Sequence, residues 1–538
     1  MTRFLIKIGL KKIKNESSAT DPRFYNEENH VEKTEEKEFT TDSNNLTRNE
    51  KVIERYEVNP PFAFVRVVQD ISRGNMTYIV DEPEISMNDL KYMRDLKDYL
   101  SHVLEVDVND IATKEDAKRY LCDKIGEIIR DHRMKISPQT KEKLEYYLIR
   151  DHLGYGKIDV LMRDAMIEDI SCDGVNIPLY IWHRKYESIP TNIIFQTARE
   201  LDSFALRLAY LCGRHVSIAQ PMLDASLPDG SRLNLTFSNE VTRKGSTFSI
   251  RKFNLDPMTI IDLINYNTIS AEMAAYFWYA VENRASILVS GGIAAGKTTT
   301  LNCLSMFIKP DLKIVSIEDT PELNLPHQNW IPAITRSHFG LGTASADITL
   351  FDLLQSSLRQ RPDYIIVGEV RGGEAYTLFQ AISTGHLGMS TIHGESVDAV
   401  VYRLESEPMN IPRTLIAGID IITVQKRIVT RGQPCRKLVS ITEIVGLDPR
   451  SREILTNEVY RWNAETDGFD FTGRSYLIER VSARSGVTLE EASRDIQKRK
   501  FILEWMAKEN IRNYKNVSNM VRRYYENPET VYKEIEGS

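Results

Sequence analysis

Apolar and polar positions along this chain change period several times, and each change marks an element boundary. From Tyr56 to Glu82 the run YEVNPPFAFVRVVQDISRGNMTYIVDE reads as paired strands around a Gly-Asn turn. Helical spacing follows from Met87 through about Leu104, then from Glu115 to Arg133 and from Pro138 to Leu153. Between Asp159 and Phe253 short alternating segments such as IPLYIWHRKY predominate, with turn signals at Asp173-Gly174 and Asp229-Gly230 and one helix from about Ala198 to Cys212. Beyond Pro257, apolar strands alternate with helices to about residue 445, the texture of a doubly wound α/β sheet. From roughly Leu477 the chain is largely helical to its end.

Five regions are therefore expected. Residues 1–50 form a basic start and an acidic tether, and 51–158 a small strand pair with a helical adaptor. A mixed α/β domain with a linker spans 159–256, an α/β core 257–445, and a mostly helical carboxyl-terminal region 446–538. At 538 residues with 42% apolar content, more than one hydrophobic core is needed.

Charge changes the picture mainly at the start. The first fourteen residues, MTRFLIKIGLKKIK, carry five basic and no acidic side chains among six large apolar ones. Lys7 interrupts the apolar run that a signal peptide would need, so contact with an anionic membrane surface is one reading and a basic, structureless start the other. Residues 15–50 hold ten acidic and four basic side chains, which predicts a tether. The net charge of −7 argues against broad capture of nucleic acid. Five cysteines, far apart and without a CxxC pair, suit neither zinc nor a disulfide framework. The most apolar stretch, Ala271 to Val281, is too short to span a bilayer, so a cytoplasmic protein is expected.

The chemistry gathers in the α/β region. The string ASILVSGGIAAGKTTTLNCL places a buried strand, a glycine loop and a helix in succession. Gly291, Gly292, Ile293, Ala294, Ala295 and Gly296 would turn backbone N–H groups toward a phosphate, with Lys297, Thr298 and Thr299 opening the helix. Lys297 would reach the terminal phosphates and the Thr298 hydroxyl would ligate Mg²⁺, which points to ATP. Two further strands end in acids: LKIVSIED in Glu318 and Asp319, YIIVGEV in Glu369. Ligands of open α/β sheets bind at that edge, so Glu318 is assigned to the attacking water and Glu369 to the metal shell; helix capping and ion pairing are the structural alternatives. In STGHLGMSTIHGES, His386 and His393 could report a γ-phosphate or serve the fold.

Four boxes thus stand in order: GGIAAGKT, SIEDTPEL, LRQRPDYIIVGEVRGGEA and STGHLGMSTIHGES. Together they resemble the Walker A, aspartate, Walker B and histidine boxes of the secretion ATPase superfamily, whose members drive type II secretion, type IV pilus and archaellum machines. VSIAQPMLDASLPDGSRLNL and STFSIRKF resemble that family's amino-terminal sensor domain and linker, and NIRNYKNVSNMVRRYYENPE its carboxyl-terminal region. The resemblance covers roughly residues 55–538 and implies a RecA-like P-loop domain, a homo-hexamer, and ATP bound between two domains. It also implies Glu369 in place of the usual Walker B aspartate, with Asp363 too far from the metal. Arginines from the amino-terminal domain would reach the phosphates; Arg232 and Arg251 match best, with Arg207 and Arg214 behind them. Arg359, Arg361 and Arg371 flank the third box, where phosphate, a neighbouring subunit or sheet-edge pairing would each account for them. The implied partner is a polytopic membrane platform protein at the inner face of the cell membrane. A nucleic-acid translocase or conjugation-type transport ATPase is the rival, distinguished by DNA-stimulated turnover.

Overall fold

The computed structural model describes residues 50–103, 113–253, 256–336, 347–430 and 433–537. The basic start and all of the acidic tether but Glu50 lie outside them. The chain divides into two compact units, one ending at Phe253 and one beginning at Asn254.

The first unit is built on a nine-stranded sheet. Strands β1 (Glu50–Asn59), β2 (Ala63–Asp70) and β3 (Met76–Asp81) form an antiparallel meander whose second turn is the expected Gly-Asn turn. They continue into β4 (Ile167–Cys172), β5 (Pro178–His183), β6 (Glu187–Ile194), β7 (Met222–Ser226), β8 (Arg232–Thr236) and β9 (Thr247–Arg251), in spatial order 1-2-3-6-5-4-9-8-7. The predicted helices are present as Met87–Val103, Lys114–Asp131, Pro138–His152 and Ala198–Leu211, each of the last three started by a Thr or Ser whose side chain accepts an orphan backbone N–H.

The boundary expected near residue 158 does not separate two cores in this unit. Residues from both sides of it, such as Val65, Leu144, Ile170 and Phe248, share one cluster. Polar contacts tie the halves as well: Tyr56 and Tyr78 both donate to Asp164 Oδ2 at 2.6 Å, and the Asn192 amide bridges the backbone N–H and C=O of Val80.

The second unit carries the doubly wound sheet. β10 (Ile287–Gly291), β11 (Ile314–Glu318), β12 (Trp330–Ile334), β13 (Tyr364–Val367), β14 (Leu387–His393) and β15 (Ile421–Thr430) are parallel, in order 12-11-13-14-10-15. Both faces of the central strands are buried, which explains their unbroken apolar runs. On β10, Ile287 and Val289 pack with helices Ala271–Glu282 and Leu489–Lys508, while Leu288 packs on the other face with helices Gly373–Ser383 and Val397–Glu405. No helix among the described residues is long and apolar enough to cross a membrane.

The sheet does not stop at residue 445. β16 (Gln433–Leu447) runs through that position, and β17 (Ile454–Asn463) and β18 (Gly468–Phe471) add antiparallel strands to the edge. The helical tail begins at Tyr476 and is locked to the sheet by a buried carboxylate. Glu443 accepts from Tyr276 Oη (2.8 Å), Ser475 Oγ, Tyr476 N (2.7 Å), Leu477 N (3.2 Å) and Asn457 Nδ2 (3.1 Å). Replacing it would orphan donors from three elements, and each buried unpaired group costs about 1–3 kcal/mol. Glu443→Leu is expected to lower the urea unfolding free energy by roughly 3–5 kcal/mol. Breaking the exposed Arg480–Asp420 pair with Arg480→Ala should cost under about 1 kcal/mol in the same assay.

Candidate functional site

The loop after β10 is shaped by what it must fit against. Gly291 pairs with Gln425 of β15, and a Cβ at Gly291 would overlap the Gln425 carbonyl oxygen. Gly296 sits at φ 92°, in the left-handed region that glycine enters without strain, and caps the helix Lys297–Ser305. Ala294 also adopts a positive φ of 56°, and its carbonyl accepts from Arg436 Nε at 3.0 Å. Thr300 Oγ1 donates to Gln425 Oε1 at 2.7 Å. Sequence patterns had singled out neither Gln425 nor Arg436, which sit on strands outside the four boxes. Thr298 and Thr299 follow in the first turn of the helix.

At the carboxyl edge the structure assembles a charged ladder. Buried Lys297 Nζ donates to Gly292 O at 2.9 Å and lies 3.3 Å from His393 Nδ1. His393 ends β14 beside Gly291, and its Nε2 lies 2.9 Å from Glu369 Oε1. Arg371 Nη2 donates to Glu369 Oε2 at 2.7 Å, and its Nη1 approaches Asp319 at 4.0 Å. Burial lowers the His393 pKa and the Lys297 charge lowers it further, so the imidazole is neutral near pH 7. Lys297 Nζ and Glu369 Oε1 thus lie against opposite ring nitrogens of His393. Burial also lowers the Lys297 pKa, against the pull of Glu369 and Glu322.

Glu318 ends β11 and is 3% exposed. Its Oε1 accepts from Glu322 N (3.0 Å) and Leu323 N (3.1 Å), and burial raises its pKa to about 7. It stands outside the Lys297 ladder, while Glu322, which sequence reasoning passed over, acts electrostatically on Lys297. His386 is not brought to this edge. It precedes β14, so seven strand residues, about 20 Å, separate it from His393. Asp363 likewise lies before β13, accepting from Lys313 N at 2.9 Å.

Arg232 and Arg251 belong to the first unit, as directly paired residues of β8 and β9. Arg232 forms a two-point pair with Asp224, Nε–Oδ1 3.0 Å and Nη2–Oδ2 2.6 Å. Arg207 is largely buried and donates to Gly154 O at 2.6 Å, which assigns it to the core of that unit.

A strand ending in a glycine loop, a helix opened by lysine, and a lysine–histidine–glutamate contact meet at the carboxyl edge of the sheet. The model of the family described as "Type II/IV secretion system protein" matches residues 154–536. The chain belongs to this family. It is 40% identical over 402 residues to a Methanocaldococcus jannaschii protein, MJ0900, covering 74% of this chain and 72% of that one. It is 31% identical over 279 residues to the type IV secretion system protein PtlH of Bordetella pertussis, covering 45% and 80%. Among solved structures, the Yersinia pseudotuberculosis ATPase DotB aligns at 16% identity and TM-score 0.40, over 68% of this chain and 92% of that one. The family model begins at residue 154, so this type II/IV secretion family member carries β1–β3 and their three helices ahead of the matched region.

In this secretion-family chain the elevated pKa of Glu318 makes stability depend on pH. A carboxyl whose folded pKa exceeds its unfolded value of 4.5 binds more protons folded than unfolded, so stability is lost as pH rises from about 4.5 to about 7. Glu318→Gln keeps the acceptor for Glu322 N and Leu323 N without the charge. The variant is expected to be more stable than the parent at pH 8, by the order of 2–3 kcal/mol, with the gap closing toward pH 5 in thermal melts.

Proposed function

We propose that the chain is a Mg²⁺-dependent ATP hydrolase that works as a homo-hexamer. It would power assembly of a type IV pilus-like filament, an archaellum or a type II-like secretion apparatus. The observation that carries this reading is the Lys297–His393–Glu369 contact, which couples the phosphate loop to the ends of two neighbouring strands. Phosphate arriving at Gly291–Thr299 would take Lys297 from Gly292 O and His393, so nucleotide occupancy changes what His393 and Glu369 hold.

The donor set suits Mg²⁺. That ion keeps most of its ligands as water and phosphate oxygens, so the Thr298 hydroxyl with Glu369 ordering the water shell is sufficient. When bound, it would neutralise charge between the β- and γ-phosphates. Glu318, with a pKa near 7, is matched to taking a proton from the attacking water while the bond between the γ-phosphorus and the β–γ bridging oxygen breaks. Arg232 and Arg251 would offer cations from the first unit, of the same or a neighbouring subunit. The membrane platform protein, and contact of residues 1–14 with the inner face of the cell membrane, extend this reading. A conjugation-type transport ATPase is the alternative, favoured by relatives such as the putative conjugal transfer protein Rv3659c of Mycobacterium tuberculosis, 32% identical over 225 residues.

ATPase rate and oligomer mass decide between these readings. Mg²⁺-dependent turnover and an ATP-stabilised hexamer are expected for the parent. Lys297→Ala should abolish turnover, and Glu318→Gln should lower kcat by about 10²–10⁴-fold with nucleotide binding retained. The parent rate should rise as pH increases through about 7, as Glu318 loses its proton. Stimulation by DNA would move the assignment to the transport ATPase. Equal turnover in the parent and Lys297→Ala would refute both.

A further inference from the structure

Past Gln425, strand β15 leaves the body of the sheet. β10 pairs with it only from Ile421 to Gln425, so residues 426–430 of β15 pair with residues 433–437 of β16 as a two-stranded ribbon. Arg436 lies on the ribbon face that carries Gln425, its diagonal neighbour across the antiparallel pair. Together they enclose the last glycine of the loop: a Cβ at Gly296 would stand 3.0 Å from Gln425 Nε2 and 3.3 Å from Arg436 Cδ. Arg436 Nε then reaches the carbonyl of Ala294, at 3.0 Å. Ala294 is exposed and sits at φ 56°, a left-handed conformation that an alanine enters only against the crowding of its own Cβ. The bond from the ribbon thus falls on the strained turn of the loop.

We propose that Arg436 is a positioning residue for the phosphate loop: its bond to Ala294 O holds the left-handed turn, so that the loop N–H groups are already arranged when nucleotide arrives. The proposal rests on the nucleotide-site reading above, and it gives Arg436 no contact with the nucleotide itself. Two observations separate this role from stabilising the fold. Arg436 stands directly opposite Arg427 with both side chains exposed, and like charges directly opposed across two strands weaken their pairing. The Ala294 carbonyl belongs to an exposed residue, where water can replace the guanidinium, so losing the bond costs the folded chain little. Water is tied to no strand, however, and cannot hold the φ of Ala294. Arg436 can, because β16 anchors it to the sheet. A preformed turn lowers the ordering cost of binding for any nucleotide whose phosphates enter the loop. Arg436 therefore raises affinity for diphosphate and triphosphate alike.

The test is equilibrium affinity for ATPγS and for ADP, each with Mg²⁺, in the full-length parent, Arg436→Gln, Arg436→Lys, Ala294→Gly and the double variant Arg436→Gln with Ala294→Gly. Lys297→Ala serves as the control on the nucleotide site. Loss of one charge-assisted hydrogen bond predicts both ligands bound about five- to tenfold more weakly by Arg436→Gln. Arg436→Lys, which still donates but from a single point, should recover part of the loss. Glycine enters the left-handed region without strain, so in the Ala294→Gly background Arg436→Gln should cost under about threefold. Without nucleotide, Arg436→Gln should melt at or above the parent temperature, since the opposed charges are gone. Unchanged affinity in Arg436→Gln, or a loss confined to one ligand, would overturn the proposal. A loss that Ala294→Gly leaves whole would also overturn it, by placing the guanidinium on the nucleotide. Melting well below the parent would overturn it too, by making Arg436 a residue of the fold. If the parent binds and Lys297→Ala does not, a failure at Arg436 leaves the nucleotide reading standing. If the parent binds neither ligand, that reading falls and this proposal with it.

Discussion

The second unit depends on how closely the end of β10 approaches β15. Gly291 lies against the Gln425 carbonyl with no room for a side chain, and Gln425 in turn accepts from Thr300 in the following helix. Strand, loop and helix are therefore pinned at one buried point. The loop is held from outside as well, by Arg436 on the Ala294 carbonyl. A phosphate loop works by presenting backbone N–H groups in a fixed curve, and packing around residues 291–296 gives the loop proposed for that role such a curve.

From that point the electrostatics follow the strand order. Because β14 lies beside β10 and β13 beside β14, the side chains at their carboxyl ends fall in sequence: Lys297, His393, Glu369, Arg371. Glu369 lies between His393 and Arg371, so one carboxylate joins the ends of two neighbouring strands. Glu318 on β11 is set apart, sealed in a site that raises its pKa toward neutrality. Under the proposed mechanism, burial thereby separates the carboxylate that would exchange a proton from the one that would hold charge.

Much of this was legible in the sequence, for identifiable reasons. Glycine and lysine spacing, strand-terminal acids and apolar runs are local signals, and they located Lys297, Glu318, Glu369 and His393. Helices with Ser or Thr caps were equally plain. What local pattern could not carry was pairing at long range. Gln425 and Arg436 act from strands over a hundred residues beyond the loop. Seven positions apart, His386 and His393 could flank a strand or a turn, and the extended strand that forms carries them to opposite ends of the sheet. The strand pair after residue 445 was hidden because half-exposed edge strands alternate weakly, and the adaptor merged with the next domain because Asp164, its anchor, lies on the far side of the expected boundary.

If the close fit of Gly291 against Gln425 shapes a site for a nucleoside triphosphate, as proposed, widening that fit must weaken binding. Calorimetric titration of the parent and of Gly291→Ala with a Mg²⁺-bound non-hydrolysable ATP analogue tests it most directly. One analogue should bind per parent chain, and binding should be at least about tenfold weaker in a Gly291→Ala protein that remains folded, since an added Cβ must displace either the loop or β15. Equal affinity in the two proteins, or no binding by the parent, would contradict it.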